Sequence, residues 1–314
     1  MAGLKTKAPT MTADTATTSP VVQTSSTART GVLLMLLGML MFSLNDVMGK
    51  WLVATYSVGQ VVLIRSLAAA LLLAPFLWLG GLQKVVAIER PWLQLARVVA
   101  STAEVIAFYF AVVYLPLADV MTYWLAAPIY VAAVSPLVLK EHVGWRRWTA
   151  IAIGFVGVVI ALEPSSQALT LPALISILGS MFFAFMMISG RSLRGTPDSV
   201  LAFWQIVGAA LVGLVWAPLD WTPLKPLDTA LLGLLGVVAM LAHVFVNRAL
   251  KLAETATIAP LQYTLLFWAI VFGWLIFGDA PRLSMILGAG LIVASGLFIF
   301  FREQQLKRQG RLKG

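Results

Sequence analysis

From Gly31 to Phe301 the chain reads as a series of long apolar runs cut by short polar or charged segments. Each run approaches the roughly 20 residues that a membrane-crossing helix needs. Bounded by charge, proline or glycine, the runs are Gly31–Val53, Val58–Leu79, Pro91–Val113, Leu117–Leu139, Trp145–Leu162, Leu171–Gly190, Ser199–Trp216, Leu227–Ala249, Thr255–Phe277 and Leu283–Phe301. The pattern predicts an all-α integral membrane protein with ten transmembrane helices, preceded by a polar segment over residues 1–29 and followed by a basic tail over 302–314.

Residues 1–29 are rich in Ser, Thr and Ala and nearly free of large apolar side chains, which predicts a disordered tail. The run after Arg29 is long enough to span and is followed by no small-residue cleavage site, so the first helix is expected to stay in the membrane rather than leave as a signal peptide.

Composition agrees: 60% of residues are hydrophobic and 11% charged, which a soluble core with a polar surface does not allow. A net charge of +9 would suggest a nucleic acid partner in a soluble protein. Here the basic residues collect between apolar runs instead. Lys50, Lys225 and Arg282 fall on one side and Arg65 and Arg97 within spans, leaving 17 of the 22 Lys and Arg on the other side or in the two tails. By the positive-inside rule both termini are cytoplasmic, and no nucleic acid partner is expected. The absence of cysteine removes disulfides, thiolate metal sites and Cys nucleophiles.

A repeat is visible. "YLPLADVMTYWLAAPIYVAAVSPLVLKEHVGWRRWTAIAIGFVGVVIAL" is echoed weakly by "KLAETATIAPLQYTLLFWAIVFGWLIFGDAPRLSMILGAGLIVASGLFIF". Each has an Ala-rich entry, a Pro-bearing aromatic helix, an acidic residue at its end (Glu141, Asp279) and a Gly-bearing last helix. Two copies of an odd, five-helix unit must run in opposite directions, the inverted repeat common among secondary transporters.

On "FSLNDVMGKWL", "PIYVAAVSPLVLKEHVGWRRW" and "HVFVNRALKLAETATIAPLQYTLLFWAIVFGWLIFGD", the chain resembles the drug/metabolite transporter superfamily, specifically its bacterial EamA-type members with ten helices in two inverted five-helix repeats. The resemblance covers about residues 31–301, with repeats over 31–162 and 171–301. One departure is that Gly154 and Gly157 lie further past Glu141 than Gly288 does past Asp279. The resemblance implies a proton-linked or exchange-type carrier of a small organic molecule in the bacterial cytoplasmic (inner) membrane, without a cofactor, as monomer or homodimer. Proteins it resembles include importers of S-adenosylmethionine or riboflavin and exporters of amino acids or drugs.

The polar residues inside the spans carry the site prediction. Asp46 lies about seven residues, or ~10 Å, from the outer end of the first helix. Arg65 is at a similar depth in the second and Glu104 slightly deeper in the third, with Tyr123 and Trp124 of the fourth somewhat shallower. An ionised side chain at mid-membrane costs about 2.5–3.5 kcal/mol. The three therefore face one another or a water-filled cavity. Arg65 either holds a substrate carboxylate or phosphate or neutralises Asp46 in a structural ion pair. Glu104, alone on the apolar stretch "STAEVIAFYF", is the candidate for proton coupling or for binding a cationic group. Asn45 reads as interhelical glue, while Lys50 and Arg97 read as snorkelling anchors.

In the second half, His243 and Asn247 share a helix face. With Gln262, Tyr263 and Trp268 they are the expected inner counterpart of the Glu104 region. His243 is a proton acceptor or substrate contact, or else a donor to a backbone carbonyl. Tyr123, Trp124, Tyr130, Trp204, Tyr263 and Trp268 either stack on a flat or cationic ligand or pack the core. Pro128, Pro136 and Pro260 interrupt helices, and the glycines of the fifth and tenth spans permit close packing, as scaffold or dimer surface.

A primary pump is disfavoured because no G-x-x-x-x-G-K-[ST] loop occurs. An intramembrane metalloprotease or G-x-S-x-G hydrolase lacks its motif, the two histidines standing far apart. The expectation is a non-enzymatic secondary transporter working by alternating access, with exporters of the same fold, a sensor and an intramembrane enzyme as rivals.

Overall fold

The computed structural model describes residues 25–80, 83–86, 88, 90–138, 144–162, 170–193, 195–252 and 259–308. Its α-helices are α1 Ser25–Val53, α2 Val58–Gly80, α3 Gln83–Val86, α4 Pro91–Tyr114, α5 Leu117–Trp124, α6 Ala127–Val138, α7 Trp145–Leu162, α8 Leu171–Ser192, α9 Asp198–Trp216, α10 Pro226–Leu252, α11 Thr264–Phe277 and α12 Leu283–Arg308. Short 3₁₀ turns at Ala217–Asp220 and Ala259–Tyr263 extend α9 and introduce α11. Among the described residues eight stretches are long and apolar enough to cross a membrane, with α5 and the start of α6 forming one of them. The apolar helices Trp148–Ala161 and Leu261–Phe277 supply the other two predicted spans. The first helix starts at Ser25 rather than Gly31 and the last runs on to Arg308. Most of the predicted tails, residues 1–24 and 309–314, lies outside the described residues.

Lipid offers the backbone no hydrogen bonds, so a spanning segment must satisfy its own amides, and helices do that. Proline marks starts where the amide has no intrahelical partner anyway: Pro91 opens α4 and Pro226 opens α10. The outward faces are apolar, with Leu71, Trp78 and Val215 each more than 70% exposed, as the bilayer requires. Trp51, Trp78, Trp145 and Trp148 are exposed near helix ends, where an indole suits the headgroup level.

The fourth span is broken. Pro128 has no N–H to give the Trp124 carbonyl, and the Ile129 amide bonds the Ala126 carbonyl at 2.9 Å, three residues back. The chain therefore turns at Leu125–Ala126 and restarts as α6. A single continuous helix over Leu117–Leu139, as the apolar run predicted, is corrected to two half-helices.

Packing follows an exchange rule. Moving each span five places along the chain exchanges the α1/α10 pair with α8/α4, the α2/α10 pair with α9/α4, and the α1/α11 pair with α8 against α5 and α6. The pairs α7/α12, α2/α9 and α5/α11 map onto themselves. This is the contact pattern of two like five-span units related by a two-fold axis, and it makes the fold the inverted repeat that the sequence echo predicted.

The α7/α12 pair shows how close the helices approach. A Cβ on Gly288 would stand 2.5 Å from the Gly157 carbonyl oxygen and 2.6 Å from the Ala161 amide nitrogen. Both neighbours are backbone, so neither can rotate away. Near the same interface Ser295 Oγ donates to the Ala150 carbonyl at 2.5 Å. Gly154, Gly157 and Gly288 thus pack within one chain, while Gly290 meets nothing within 4 Å. Gly288→Ala is expected to destabilise by about 1–3 kcal/mol, in the range of overpacked cores, and Gly290→Ala to be neutral. Thermal unfolding of the two purified variants, read side by side, checks this.

Candidate functional site

Five helices, α2, α4, α8, α9 and α10, enclose a cavity of about 460 Å³. Its α2 wall runs from Arg65 to Phe76, about eleven residues or ~16 Å along the helix, and its α9 wall begins at Ser199, one residue past the start of that helix. It therefore extends from mid-span toward the face where Arg90, Arg191 and Arg248 lie. Its polar lining is Arg65, Ser66, Arg97, Ser199, Gln205 and His243; Leu73, Phe76, Met186 and Met240 are among its apolar lining.

Arg65 stands at the deep end. The α10 backbone comes close to it because Gly236 has no side chain: a Cβ there would collide with the Arg65 carbonyl. Arg65 Nη1 donates to Tyr109 Oη at 2.5 Å, and the guanidinium carbon lies 5.4 Å from the Tyr109 ring centre. Tyr109 is itself wedged against α1, its ring 2.6 Å from where a Gly49 Cβ would be. Asp46 and Glu104 both lie within electrostatic reach of Arg65 and of each other. Trp124 Nε1, at the end of α5, donates to Glu104 Oε1 at 2.8 Å. The break after Trp124 leaves this indole at a half-helix end, its six-membered ring filling the gap at Gly179 of α8 and its plane edge-on to Phe108. Asp46, Arg65, Glu104 and Trp124 thus come together, with Tyr109 as a member that the depth argument missed. Its signal in the sequence was a phenol within the same apolar stretch as Glu104, "STAEVIAFYF".

Other predicted residues fall elsewhere. His243, expected on a separate inner layer, lines the same cavity as Arg65 and meets Phe42 edge-on at 4.8 Å. Arg97, read as an anchor reaching the lipid surface, is 9% exposed and lines the cavity. Tyr123 is buried and lies within electrostatic reach of Asp119 and Arg282, away from the cavity. Tyr263 sets its hydroxyl against Gly296 of α12, Gln262 is exposed outside the cavity lining, and Trp268 stacks on Phe272 with centroids 5.4 Å apart. The side chain of Asn247 lies outside the described residues. Asn45 ties α1 to α10 by donating to the Leu235 carbonyl at 2.8 Å.

Beyond Arg65, toward the opposite face, the two halves are tied directly. Lys50 Nζ is 2.7 Å from Asp279 Oδ2 and 3.2 Å from the Leu115 carbonyl, so Lys50 is a bridge rather than a free interface cation. Asp279 is aimed by the end of α11, where Gly278 takes the left-handed conformation (φ 71°) and the Asp279 amide folds back onto the Gly273 carbonyl at 3.0 Å. Arg282 Nη2 meets Asp119 Oδ2 at 2.8 Å. Buried Gln60 exchanges two hydrogen bonds with the Thr222 backbone, at 2.8 and 3.1 Å, and Tyr56 donates to Asp228 at 2.6 Å. Lys50–Asp279, Arg282–Asp119, Gln60–Thr222 and Tyr56–Asp228 each join a residue of the first half to one of the second. Glu141, the counterpart of Asp279 in the echo, lies outside the described residues.

Comparison with known proteins agrees with this geometry. The profile of the EamA-like transporter family matches residues 29–162 and again 170–301. The chain is 25% identical over 277 residues to an S-adenosylmethionine uptake transporter of Rickettsia prowazekii (strain Madrid E), covering 88% of this chain and 94% of that one. It is 28% identical over 288 residues to a riboflavin transporter of Rhizobium johnstonii, covering 90% and 95%. It is 30% identical over 291 residues to an uncharacterized transporter of Helicobacter pylori (strain J99), covering 86% and 94%. One solved crystal structure shares the fold, with a TM-score of 0.62 over 87% of this chain and 98% of that one at 16% identity. Two matched copies, one on each half of a ten-span helical bundle, establish that the chain belongs to the EamA-like transporter family.

Proposed function

We propose that the protein is a secondary active transporter that takes up a small organic metabolite across the bacterial cytoplasmic membrane by alternating access. One observation carries the reading. A mainly apolar cavity with six polar side chains in its wall ends at mid-span on Arg65, and the layer beyond it is held shut by contacts between the two halves. A volume of about 460 Å³ falls within the range of small-molecule sites. On the positive-inside orientation, with both termini cytoplasmic, the structure is the inward-facing state and the Lys50–Asp279 layer is the closed outer gate. The repeats, spanning 31–162 and 171–301, rock against each other to exchange the open side.

Glu104 is the coupling group. It and Asp46 are two acidic side chains within electrostatic reach of Arg65. Gain or loss of a proton at Glu104 changes the field that Arg65 meets at the deep end of the cavity. The Trp124 indole keeps Glu104 in place through the cycle.

The test is uptake into proteoliposomes of labelled S-adenosylmethionine, riboflavin and aromatic and cationic amino acids, with and without an imposed pH gradient. One compound is expected to show saturable uptake accelerated by an acidic outside, and Glu104→Gln is expected to keep binding while losing that acceleration. PH-insensitive flux in the wild type would remove Glu104 from coupling. Absence of flux for every compound in folded protein would count against the carrier reading for this panel.

A further inference from the structure

We infer that a second pocket, between the end of α1 and the start of α10, holds the headgroup of a phospholipid that carries both a phosphate and a primary ammonium, the phosphate against Lys225 and the ammonium against Asp228. The pocket has a volume of about 270 Å³ and shares no lining residue with the cavity of Arg65. That volume lies just below the roughly 300–1,000 Å³ of drug-sized ligand sites, so it suits a headgroup rather than a whole metabolite. It lies at the face where Lys50 meets Asp279, since Trp51 in its wall follows Lys50 directly. The site stands whether or not the chain is a carrier.

The wall holds a cation and an anion kept apart. Lys225 and Asp228 both line the pocket, yet they form no ion pair with each other. Asp228 is buried and fixed by Tyr56, whose hydroxyl donates to Oδ2 at 2.6 Å and accepts from the Lys225 amide at 3.4 Å. A carboxylate accepts at both oxygens, so Oδ1 remains for a donor in the pocket. Lys225 and Thr55 are exposed and add an ammonium and a hydroxyl. A lone anion would face Asp228 and a lone cation would face Lys225, whereas a ligand with both charges meets an opposite charge at each end. The rim makes that ligand a lipid. Trp51 and Leu227 are exposed large apolar residues in the lining, and an indole suits the headgroup level. From Leu227 an exposed apolar track continues along α10 through Leu234 and Leu241. These stand seven residues apart, close to two helical turns, so they share one side of the helix, where an acyl chain would lie. The wall draws on both halves, and an occupied pocket ties them together at the face that the ion pairs seal.

The experiment reads thermal stabilisation of the delipidated full chain in detergent by phosphatidylethanolamine, phosphatidylcholine and phosphatidylglycerol with the same acyl chains. Phosphatidylcholine has no N–H to donate and phosphatidylglycerol has no ammonium. Glycerophosphoethanolamine supplies the same headgroup without acyl chains. Phosphatidylethanolamine is expected to reach half-maximal stabilisation at about tenfold lower concentration than the other two lipids, in line with one charge-assisted contact. Lys225→Gln, at an exposed position, should raise the concentration it needs by about tenfold. Asp228→Asn, which keeps an acceptor for Tyr56, should remove its advantage over the other lipids; if that variant does not fold, Lys225→Gln decides alone. Equal stabilisation by the three lipids, or a folded variant that responds as the wild type does, overturns the inference. Stabilisation by glycerophosphoethanolamine at the concentration where the lipid acts would mean a site for a soluble zwitterion and would overturn it too.

Discussion

Arg65→Gln is expected to abolish uptake while leaving a folded, monodisperse protein. The guanidinium forms the deep wall of the cavity, with Asp46 and Glu104 within its electrostatic reach. Removing one partner of a desolvated charge pair costs about 2–5 kcal/mol, which at 1.4 kcal/mol per decade is roughly 30-fold to a few thousand-fold in binding. The loss has two parts: a donor at the deep end of the cavity disappears, and Asp46 and Glu104 lose the cation within their electrostatic reach. Arg65→Lys keeps the charge but not the fork or the bond geometry to Tyr109, so partial uptake is expected. The measurement is initial uptake at several concentrations in proteoliposomes containing equal amounts of each variant. Arg65→Gln with near-native uptake would mean that the cavity end takes no part in the cycle.

The second large effect is expected at the opposite face. Lys50→Gln combined with Asp119→Asn removes one partner from each ion pair that joins the halves. Both pairs are part-buried, with side-chain exposures of 14% and 27% for Lys50 and Asp279 and 45% and 6% for Arg282 and Asp119. They are therefore worth more than a surface pair but less than a dry one, about 1–2 kcal/mol together after discounting for solvent. A shift of that size changes the ratio of closed to open by about 5- to 30-fold. A ligand arriving from that face binds only the open fraction, so its apparent affinity rises with that fraction. In cells or right-side-out vesicles the half-saturating outside concentration should fall severalfold while maximal uptake falls or stays level. An unchanged half-saturation would mean that the pairs do not hold the gate.

Much of the architecture was legible before the structure. Helix number came from run length, and the inversion came from an odd repeat unit, because lipid forces both. The convergence of Asp46, Arg65 and Glu104 followed from depth alone, since residues at equal distance from one interface share a level wherever their helices stand. Depth does not give direction around the helix axis. That is why Tyr123, one residue before Trp124, was grouped with Glu104 although it faces Asp119, and why Arg97 was turned toward lipid although it faces the cavity. Lys50 was assigned to solvent because its partner Asp279 is 229 residues away, and no local pattern joins them. Depth alone puts His243 on another layer from Arg65, whereas the cavity is elongated along the membrane normal and reaches both. Pro128 announced the break in the fourth span, but only the backbone shows that the break puts the Trp124 indole on Glu104.

The central claim is that one cavity opens to the two faces in turn. The chain has no cysteine, so a single introduced thiol is the only one present. Ala202→Cys places it in the cavity lining, and Ala118→Cys places it beside Asp119 at the sealed face, where Ala118 is 5% exposed. The measurement is the rate of reaction with a membrane-impermeant maleimide in vesicles of known sidedness, with and without a saturating transported compound. The account predicts that the Ala202→Cys thiol reacts only from the cytoplasmic side and the Ala118→Cys thiol only from the outside. It further predicts that conditions which slow one reaction speed the other. Simultaneous reaction of the Ala202→Cys thiol from both sides, or rates at the two positions that never change in opposite directions, would contradict it.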